Sequence, residues 1–288
     1  MYSIRPDYPL DAITQNIVRQ FDDACRSLDI DYFLIGATAR DIMLTHVFGV
    51  KTYRATRDVD FAIAVPDWQT FDHVKSWFLA RPESWSSSTN THRLLYRDND
   101  TDAVVPMDVV PFGGIENPPT IITWPPDMAA IMSVAGFAEA LQAAVQVCIV
   151  DDLIAPVTSI PGLAVLKLFA WADRRMASSK DADDLLMLLR HYADSGNLDR
   201  LYNSAFHILE SCNYDVDAAG AYLLGLDTAT ITGNDTRSRM LVLLKDADVR
   251  DRLILHMARS RVAQEDSLTY VSNLLTQFVN GLSSGDWS

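Results

Sequence analysis

The sequence is poor in cysteine, in long apolar runs and in basic residues. Its 288 residues include three widely separated cysteines, so neither a disulfide framework nor a paired-cysteine metal site is predicted. No apolar run is long enough for a bilayer, and the N-terminal segment lacks the basic start and apolar core of a signal peptide. We therefore expect a cytoplasmic protein that has no membrane partner.

Basic residues are outnumbered, with 24 Lys and Arg against 38 Asp and Glu, which gives a net charge of −14. Such a surface repels polyanions. A nucleic-acid substrate would therefore have to meet a local basic patch or bound cations. The hydrophobic share of 49% is ordinary for a folded globular protein.

The order of predicted elements divides the chain into two parts. Hydrophobic periodicity predicts alternating helices and strands up to about Ile160 and helices beyond it. A Pro- and Gly-rich stretch, residues 113–126, is predicted to be a loop that leads into a short apolar helix. We expect an α/β domain over residues 1–160 and a helical domain over 161–288 that completes the active-site cleft. Before residue 113 we predict helices over 11–28, 37–48 and 67–79 and strands over 31–36, 58–65, 92–98 and 103–112.

Two aspartates share one face of an otherwise apolar strand. Side chains alternate along a strand, so Asp58 and Asp60 project the same way, about 7 Å apart. Asp108 lies in a second apolar strand, "VVPMDVVPF". If the two strands are neighbours, three carboxylates converge, and hard oxygen ligands of this kind suit two Mg²⁺ ions that share their coordination with substrate phosphates.

A purely structural interpretation of the same aspartates remains open. Asp58 would cap its strand, Asp60 would pair with Arg57 or Arg40, and Asp108 would lie on an edge strand. Its weakness is that charges on apolar strands are costly unless each one is compensated.

The turn "GATAR", residues 36–40, follows a strand and opens a helix. Free backbone N–H groups at such a helix start favour phosphate. Gly36 permits close approach, Thr38 can donate its hydroxyl, and Arg40 can reach an anion. His92, Arg93 and Arg97 lie on the strand before Asp108 and are candidates to border the site. We expect instead that they lie on a solvated face of that strand.

These motifs carry a family resemblance. A Gly-small turn, an Asp-x-Asp strand and a third Asp resemble the polymerase-beta type of nucleotidyltransferase. The segments "LIGATARDI", "RATRDVDFAIAV" and "IPGLAVLKLFAWADRRMASSKDADDLLMLL" resemble the AbiEii toxin-like nucleotidyltransferases over residues 30–192. The resemblance implies an α+β fold, a polymerase-beta-like domain with a mixed sheet flanked by helices, followed by a helical C-terminal region.

The resemblance also implies roles for individual residues. Asp58, Asp60 and Asp108 would be the metal ligands and catalytic carboxylates. Lys167 would face the triphosphate, as a lysine on a helical apolar stripe needs an anionic partner, either carboxylate or phosphate. The remaining nucleotide-binding residues implied are Gly36, Ala37, Thr38, Arg40, Asp181 and Asp184. Ala37 departs from the Gly-Ser of the better-known members and removes one hydroxyl from phosphate binding.

Three functions are compatible with these residues. The first is an Mg²⁺-dependent transfer of a nucleoside monophosphate from an NTP to an acceptor, for which tRNA is a candidate. The chain would then act as a toxin in a toxin–antitoxin or phage-defence system, and its antitoxin would be a candidate partner. The second uses a small cationic acceptor, as aminoglycoside nucleotidyltransferases do, which the acidic surface favours. The third is a binding module of the same fold that has lost turnover.

Overall fold

The structure, a computed structural model, describes residues 1–51, 58–259 and 268–284. Two compact units divide it, Met1–Thr158 and a second unit that begins at Ser159. Arg57, one of the two arginines named as a partner for Asp60, lies outside the described residues.

The first unit is a mixed sheet with helices. Its helices are α1 (Ala12–Leu28), α2 (Gly36–Asp41), which continues into a π-helical turn (Ile42–Val47), α3 (Trp68–Leu79) and α4 (Phe137–Gln142). Its strands are β1 (Tyr2–Ser3), β2 (Tyr32–Leu34), β3 (Val59–Val65), β4 (Trp85–Ser87), β5 (Arg93–Arg97), β6 (Val104–Gly113), β7 (Ile121–Trp124), β8 (Ala130–Ser133), β9 (Val145–Val150) and β10 (Leu153–Val157).

The main sheet has the strand order β1-β9-β10-β2-β3-β6-β5-β4. Strand β3 runs parallel to β6, whereas β2 runs antiparallel to β3 and β5 runs antiparallel to β6. The sheet is therefore mixed, as predicted. Strand β6 has a neighbour on each side, which corrects the alternative that Asp108 lies on an edge strand.

Local sequence explains the helix starts. Asp11 and Asp67 lie just before α1 and α3, and each side chain accepts a hydrogen bond from the backbone N–H three residues on. The first helix ends at Leu28, and the next residue, Asp29, takes the left-handed conformation that Asp tolerates better than most residues. The α3 cap and the end of that helix at Leu79 are as predicted.

Aromatic rings between α1, α3 and the sheet form the centre of the first unit. The rings of Phe21 and Phe61 stack with centroids 3.7 Å apart, and Phe78 lies against Phe21 and Trp85. All four side chains are buried. Because Phe61 points into this core from β3, the alternating residues of that strand point to the opposite face.

The Pro- and Gly-rich stretch was wrongly predicted to be entirely loop. Residues Ile121–Trp124 form β7, which pairs antiparallel with β8. Strand β8 takes part of the place predicted for a short helix, and the helix itself, α4, begins later at Phe137. Trp124 accounts for the difference, because it packs on Trp68 and Phe71 of α3 and so holds the hairpin against the unit.

The second unit is helical throughout its described residues. Gly225 and Gly281 allow the helices Val216–Ile231 and Leu268–Ser284 to lie close together, since a side chain at either position would collide with the backbone of the other helix. None of the helices in the described ranges combines the length and the apolar character that crossing a bilayer requires. The helices are α5 (Ile160–Arg174), α6 (Lys180–His191), α7 (Leu198–Tyr202), α8 (Phe206–Ser211), α9 (Val216–Ile231), α10 (Asn234–Lys245), α11 (Ala247–Ala258) and α12 (Leu268–Ser284).

Candidate active site

Three aspartates converge where β3 and β6 lie side by side. Asp60 and Asp108 are direct partners in the parallel register, and Asp58 comes one residue before β3. Each of the three offers a carboxylate oxygen within 4.8 Å of the others. We call these residues the acidic trio. Their side chains converge more closely than the backbone spacing of about 7 Å between alternate residues.

The acidic trio fits a divalent cation. All three residues are half-buried, so their charges are partly removed from water yet still reachable from solvent. Carboxylate oxygens are the ligands that Mg²⁺ and similar hard cations prefer, and a cation between them would offset their mutual repulsion. The prediction that Asp108 lies beside the Asp-x-Asp strand is thus met by the geometry.

The turn at Gly36 lies against the acidic trio. Strand β2 runs antiparallel to β3, so the end of β2 meets the start of β3, and the Ile35 N–H donates to the Asp60 carbonyl over 2.9 Å. Gly36 has a φ of +68°, and a Cβ there would lie 2.8 Å from Asp60 Cγ. Only glycine leaves room for the Asp60 carboxylate at this point.

Thr38 and Arg40, in the rest of the turn, make hydrogen bonds within the first unit. The Thr38 hydroxyl donates to the Asp58 carbonyl over 2.8 Å, which fixes the backbone ahead of β3. Arg40 is fully buried and donates to Asp41. Arg40 is therefore part of a buried ion pair with Asp41 here, and the anion contact expected of it stays a prediction. Phosphate contact by Ala37 stays a prediction.

Arg93, named from the sequence as a candidate to border the site but expected on a solvated face, contacts the acidic trio. It lies opposite Asp108 in the antiparallel pairing of β5 with β6. Its Nε and Nη2 donate to the two oxygens of Asp108, each over 2.7 Å, and Nη2 lies 3.9 Å from Asp58 Oδ2. The expectation of a solvated face was wrong for Arg93 and right for Arg97, which pairs with exposed Asp102. The hydrogen bonds to Asp108 raise the pKa of Arg93 further above its usual range.

His92 adds a neutral ring beside the same carboxylate. Its Nε2 lies 3.9 Å from Asp108 Oδ2, and its ring packs on Trp124 of the β7–β8 hairpin with centroids 5.4 Å apart. Burial lowers the pKa of His92 below its usual 6.5, although the charge of Asp108 opposes that shift. Placing Arg93 and His92 beside Asp108 requires the register of β5 against β6. Alternation along the sequence alone does not say which residue of β5 faces Asp108.

Lys167 lies in the second unit, where α5 packs on α6. Its ammonium is 2.6 Å from Asp184 Oδ2 and 3.4 Å from Asp181 Oδ1, and Arg174 donates to the other oxygen of Asp181 over 2.7 Å. Lys167 and both aspartates are buried. The anionic partner expected for Lys167 is therefore carboxylate in this structure.

Comparison with known families decides the identity of the chain. Residues 21–207, about two thirds of the sequence, match the family described as "Nucleotidyl transferase AbiEii toxin, Type IV TA system". The chain belongs to the AbiEii family. It is accordingly a nucleotidyltransferase of a toxin–antitoxin family, and the predicted fold class and activity are confirmed at that level. The AbiEii match includes all three residues of the acidic trio, the Gly36 turn and the Lys167 cluster.

Solved structures similar to this AbiEii member include an antibiotic-resistance factor and CCA-adding enzymes. The solution structure of the antibiotic-resistance factor ANT(2'')-Ia is 12% identical, covers 71% of this chain and 99% of its own, and has a TM-score of 0.37. The Thermotoga maritima CCA-adding enzyme in complex with tRNA is 13% identical, with coverages of 95% and 82% and a TM-score of 0.25. An apo form of a CCA-adding enzyme, 12% identical with the same coverages, has a TM-score of 0.33. No curated protein matches the sequence. The assignment rests on the AbiEii match.

Proposed function

We propose that this chain transfers a nucleoside monophosphate from an NTP to an acceptor hydroxyl and releases pyrophosphate. The observation that carries the proposal is the acidic trio, whose carboxylate oxygens lie within 4.8 Å of one another in a chain of the AbiEii family. A cytoplasmic site of action is part of the proposal, because NTPs and Mg²⁺ are abundant there.

We assign two Mg²⁺ ions to Asp58, Asp60 and Asp108. When bound, Mg²⁺ neutralises phosphate charge and makes the acceptor hydroxyl a better nucleophile. The chain itself supplies position: the β3–β6 register sets Asp60 against Asp108, and the Thr38 hydroxyl holds the Asp58 carbonyl. Because little covalent chemistry falls to the protein in such transfers, positioning and charge carry most of the catalysis.

The nucleotide-binding roles extend this proposal beyond the acidic trio. Gly36 and Ala37 lie where backbone N–H groups could face phosphate, beside Asp60. We propose Lys167 as the lysine for the triphosphate, with Asp181 and Asp184 holding its ammonium in place. Thr38, whose hydroxyl is engaged by Asp58, contributes through its backbone.

The test is transfer of label from each α-³²P-labelled NTP in turn, with Mg²⁺ and total tRNA. We expect wild type to label the acceptor with one preferred NTP and Asp60→Asn to lose at least about a hundredfold in rate, as removal of a group acting on the transition state typically does. Asp100→Asn, which changes an exposed turn residue, is the matched control. Equal labelling by Asp60→Asn would contradict the role of the acidic trio, and no labelling by wild type with any NTP and acceptor would favour the inactive binding module.

One observation favours a second acceptor class. The net charge of −14 attracts a cation and repels RNA, so a small cationic acceptor of the aminoglycoside type remains a candidate. Salt separates the two classes, because RNA binding weakens steeply as salt rises. We propose tRNA as the first acceptor to test, and expect its use to fall between about 50 and 200 mM salt.

The toxin role predicts an effect on cells. Expression of wild type should arrest growth, whereas Asp60→Asn should not, because arrest would depend on transfer at the acidic trio. The AbiEii family is of the toxin–antitoxin kind, so we propose that a cognate antitoxin relieves the arrest. Arrest by both proteins alike would separate toxicity from the acidic trio.

A further inference from the structure

We propose that Arg93 competes with the divalent cation for Asp108, so that its guanidinium sets how tightly the acidic trio binds metal. The proposal deepens the proposed function and rests on its metal site. It assigns Arg93 to regulation of cation binding, and the geometry on which it depends involves residues of β3, β5 and β6 together with Asp58, one residue before β3.

The two donors of Arg93 cover both oxygens of Asp108. Nε and Nη2 each donate over 2.7 Å, to Oδ1 and Oδ2 respectively. This is the parallel, two-bond geometry in which a guanidinium and a carboxylate interact most strongly. A cation that took Asp108 as a ligand would bind the same oxygens. Arg93 and the cation therefore cannot both keep their best contacts with Asp108.

The sheet brings both competitors to Asp108 from opposite sides. Strand β6 lies between β3 and β5, and the two registers pair Asp108 with Asp60 on one side and with Arg93 on the other. Residues paired in register project to the same face of a sheet. Asp108 is thus shared between a carboxylate that favours a cation and a guanidinium that replaces one.

Charge makes the competition stronger than shared oxygens alone. Arg93 Nη2 also lies 3.9 Å from Asp58, so its positive charge faces two of the three carboxylates. A divalent cation among those carboxylates would lie a few ångströms from the guanidinium and be repelled by it, with little screening in a half-buried site. Arg93 cannot relieve the repulsion by losing its proton, because a guanidinium stays charged in proteins.

The Arg93 side chain can move away from Asp108 towards solvent. That side chain is 29% exposed, whereas that of Asp108 is 14% exposed, so the guanidinium can swing towards solvent while the carboxylate stays in place. Linkage then requires that metal binding weakens the Arg93–Asp108 pair by the same factor by which Arg93 weakens metal binding. The Arg93–Asp108 pair therefore lowers the affinity of the acidic trio for the cation.

The test is Mn²⁺ binding to the full chain, followed by electron paramagnetic resonance of free Mn²⁺, in a set of matched variants. We expect Arg93→Gln to lower the Mn²⁺ dissociation constant by about fivefold or more. Arg93→Lys, which keeps the charge but cannot span both oxygens, should fall between Arg93→Gln and wild type. Arg97→Gln removes the same charge from the same strand, away from the acidic trio, and should leave the constant unchanged.

Asp60→Asn separates failure of this inference from failure of the metal site. If wild type binds Mn²⁺ through Asp60 and Arg93→Gln binds no tighter, the competition is refuted and the metal site stands. If Mn²⁺ binding does not depend on Asp60 in any variant, both are refuted. Should Arg93→Gln fail to fold, the Arg93 Nε–H resonance of wild type decides: the proposal requires it to shift on addition of Mg²⁺, and no shift overturns it.

Discussion

At Gly36 the main chain of the turn after β2 lies close against the side chain of Asp60. Its positive φ and the collision that a Cβ would make with the Asp60 carboxylate are separate reasons for glycine. The first concerns the backbone and the second concerns the site. A substitution at Gly36 therefore tests whether room for Asp60 matters to function.

We expect Gly36→Ala to weaken Mn²⁺ binding and nucleotidyl transfer by at least about tenfold, because the new methyl group must displace Asp60, and groups positioned for catalysis tolerate little displacement. Gly49→Ala is the control, since Gly49 also has a positive φ, +75°, but the nearest described atoms to a Cβ there belong to the Arg5 side chain, at 3.4 Å. Both variants should lose similar backbone stability. Equal metal affinity in the two variants would contradict the account.

Individual side chains show where prediction from sequence succeeds and where it stops. Asp58, Asp60 and Asp108 were predictable because alternation fixes the face of a strand and an apolar strand makes a carboxylate conspicuous. Arg93 was only a candidate to border the site, because its contact with Asp108 depends on the register of two strands joined by a polar turn. A shift of one residue would have sent its side chain to the other face of the sheet.

At the scale of elements, a buried ion cluster joins α5 to α6. Lys167 on α5 meets Asp184 and Asp181 on α6, and Arg174 caps the cluster from the exposed side. Breaking a buried pair by removing one partner is strongly destabilising, since the other charge stays buried. The cluster therefore fixes how α5 and α6 pack, whatever Lys167 contributes to nucleotide binding.

We expect Lys167→Met to lower the free energy of unfolding by about 3 kcal/mol, measured by urea denaturation. Lys180→Met, at an exposed position on α6, should change it by no more than about 0.5 kcal/mol. Similar losses in the two variants would show that the cluster contributes nothing beyond an ordinary surface charge.

The elements that sequence analysis missed have a common cause. Strand β7 is short and lies between prolines, so its local signals favour a loop, but Trp124 packs on α3 and the pairing with β8 follows. Tertiary contact overrides local preference there. The long, strongly periodic elements, such as α1 and α3, carry their own caps and were predicted within a few residues.

At the scale of the whole molecule, several histidines are held neutral by burial. Desolvation is the largest cause that lowers the pKa of His92, His191 and His256 below 6.5. The Trp171 indole N–H also donates to His256 Nδ1 over 3.0 Å, which requires that nitrogen to be unprotonated. The folded state therefore binds protons less readily than the unfolded state at these three positions.

The sign of the pH dependence follows from this. Well above pH 6.5 these histidines are neutral in both states, and as pH falls through 6.5 the unfolded chain takes up protons first, so stability falls as pH drops. We expect the free energy of unfolding to decline between about pH 7 and pH 5, and to decline less in His256→Gln. A stability that is flat or rises over that range would contradict the burial of these rings.

The central claim is that the acidic trio directs transfer of the nucleotidyl group, and the position of the label in the NTP tests it most directly. Parallel reactions receive the preferred NTP labelled at the α- or the γ-phosphate. The account predicts that only the α label reaches the acceptor, with one pyrophosphate released for each transfer, and that Asp108→Asn and Asp60→Asn abolish it. Transfer of the γ label, or undiminished α-label transfer by either variant, would contradict it.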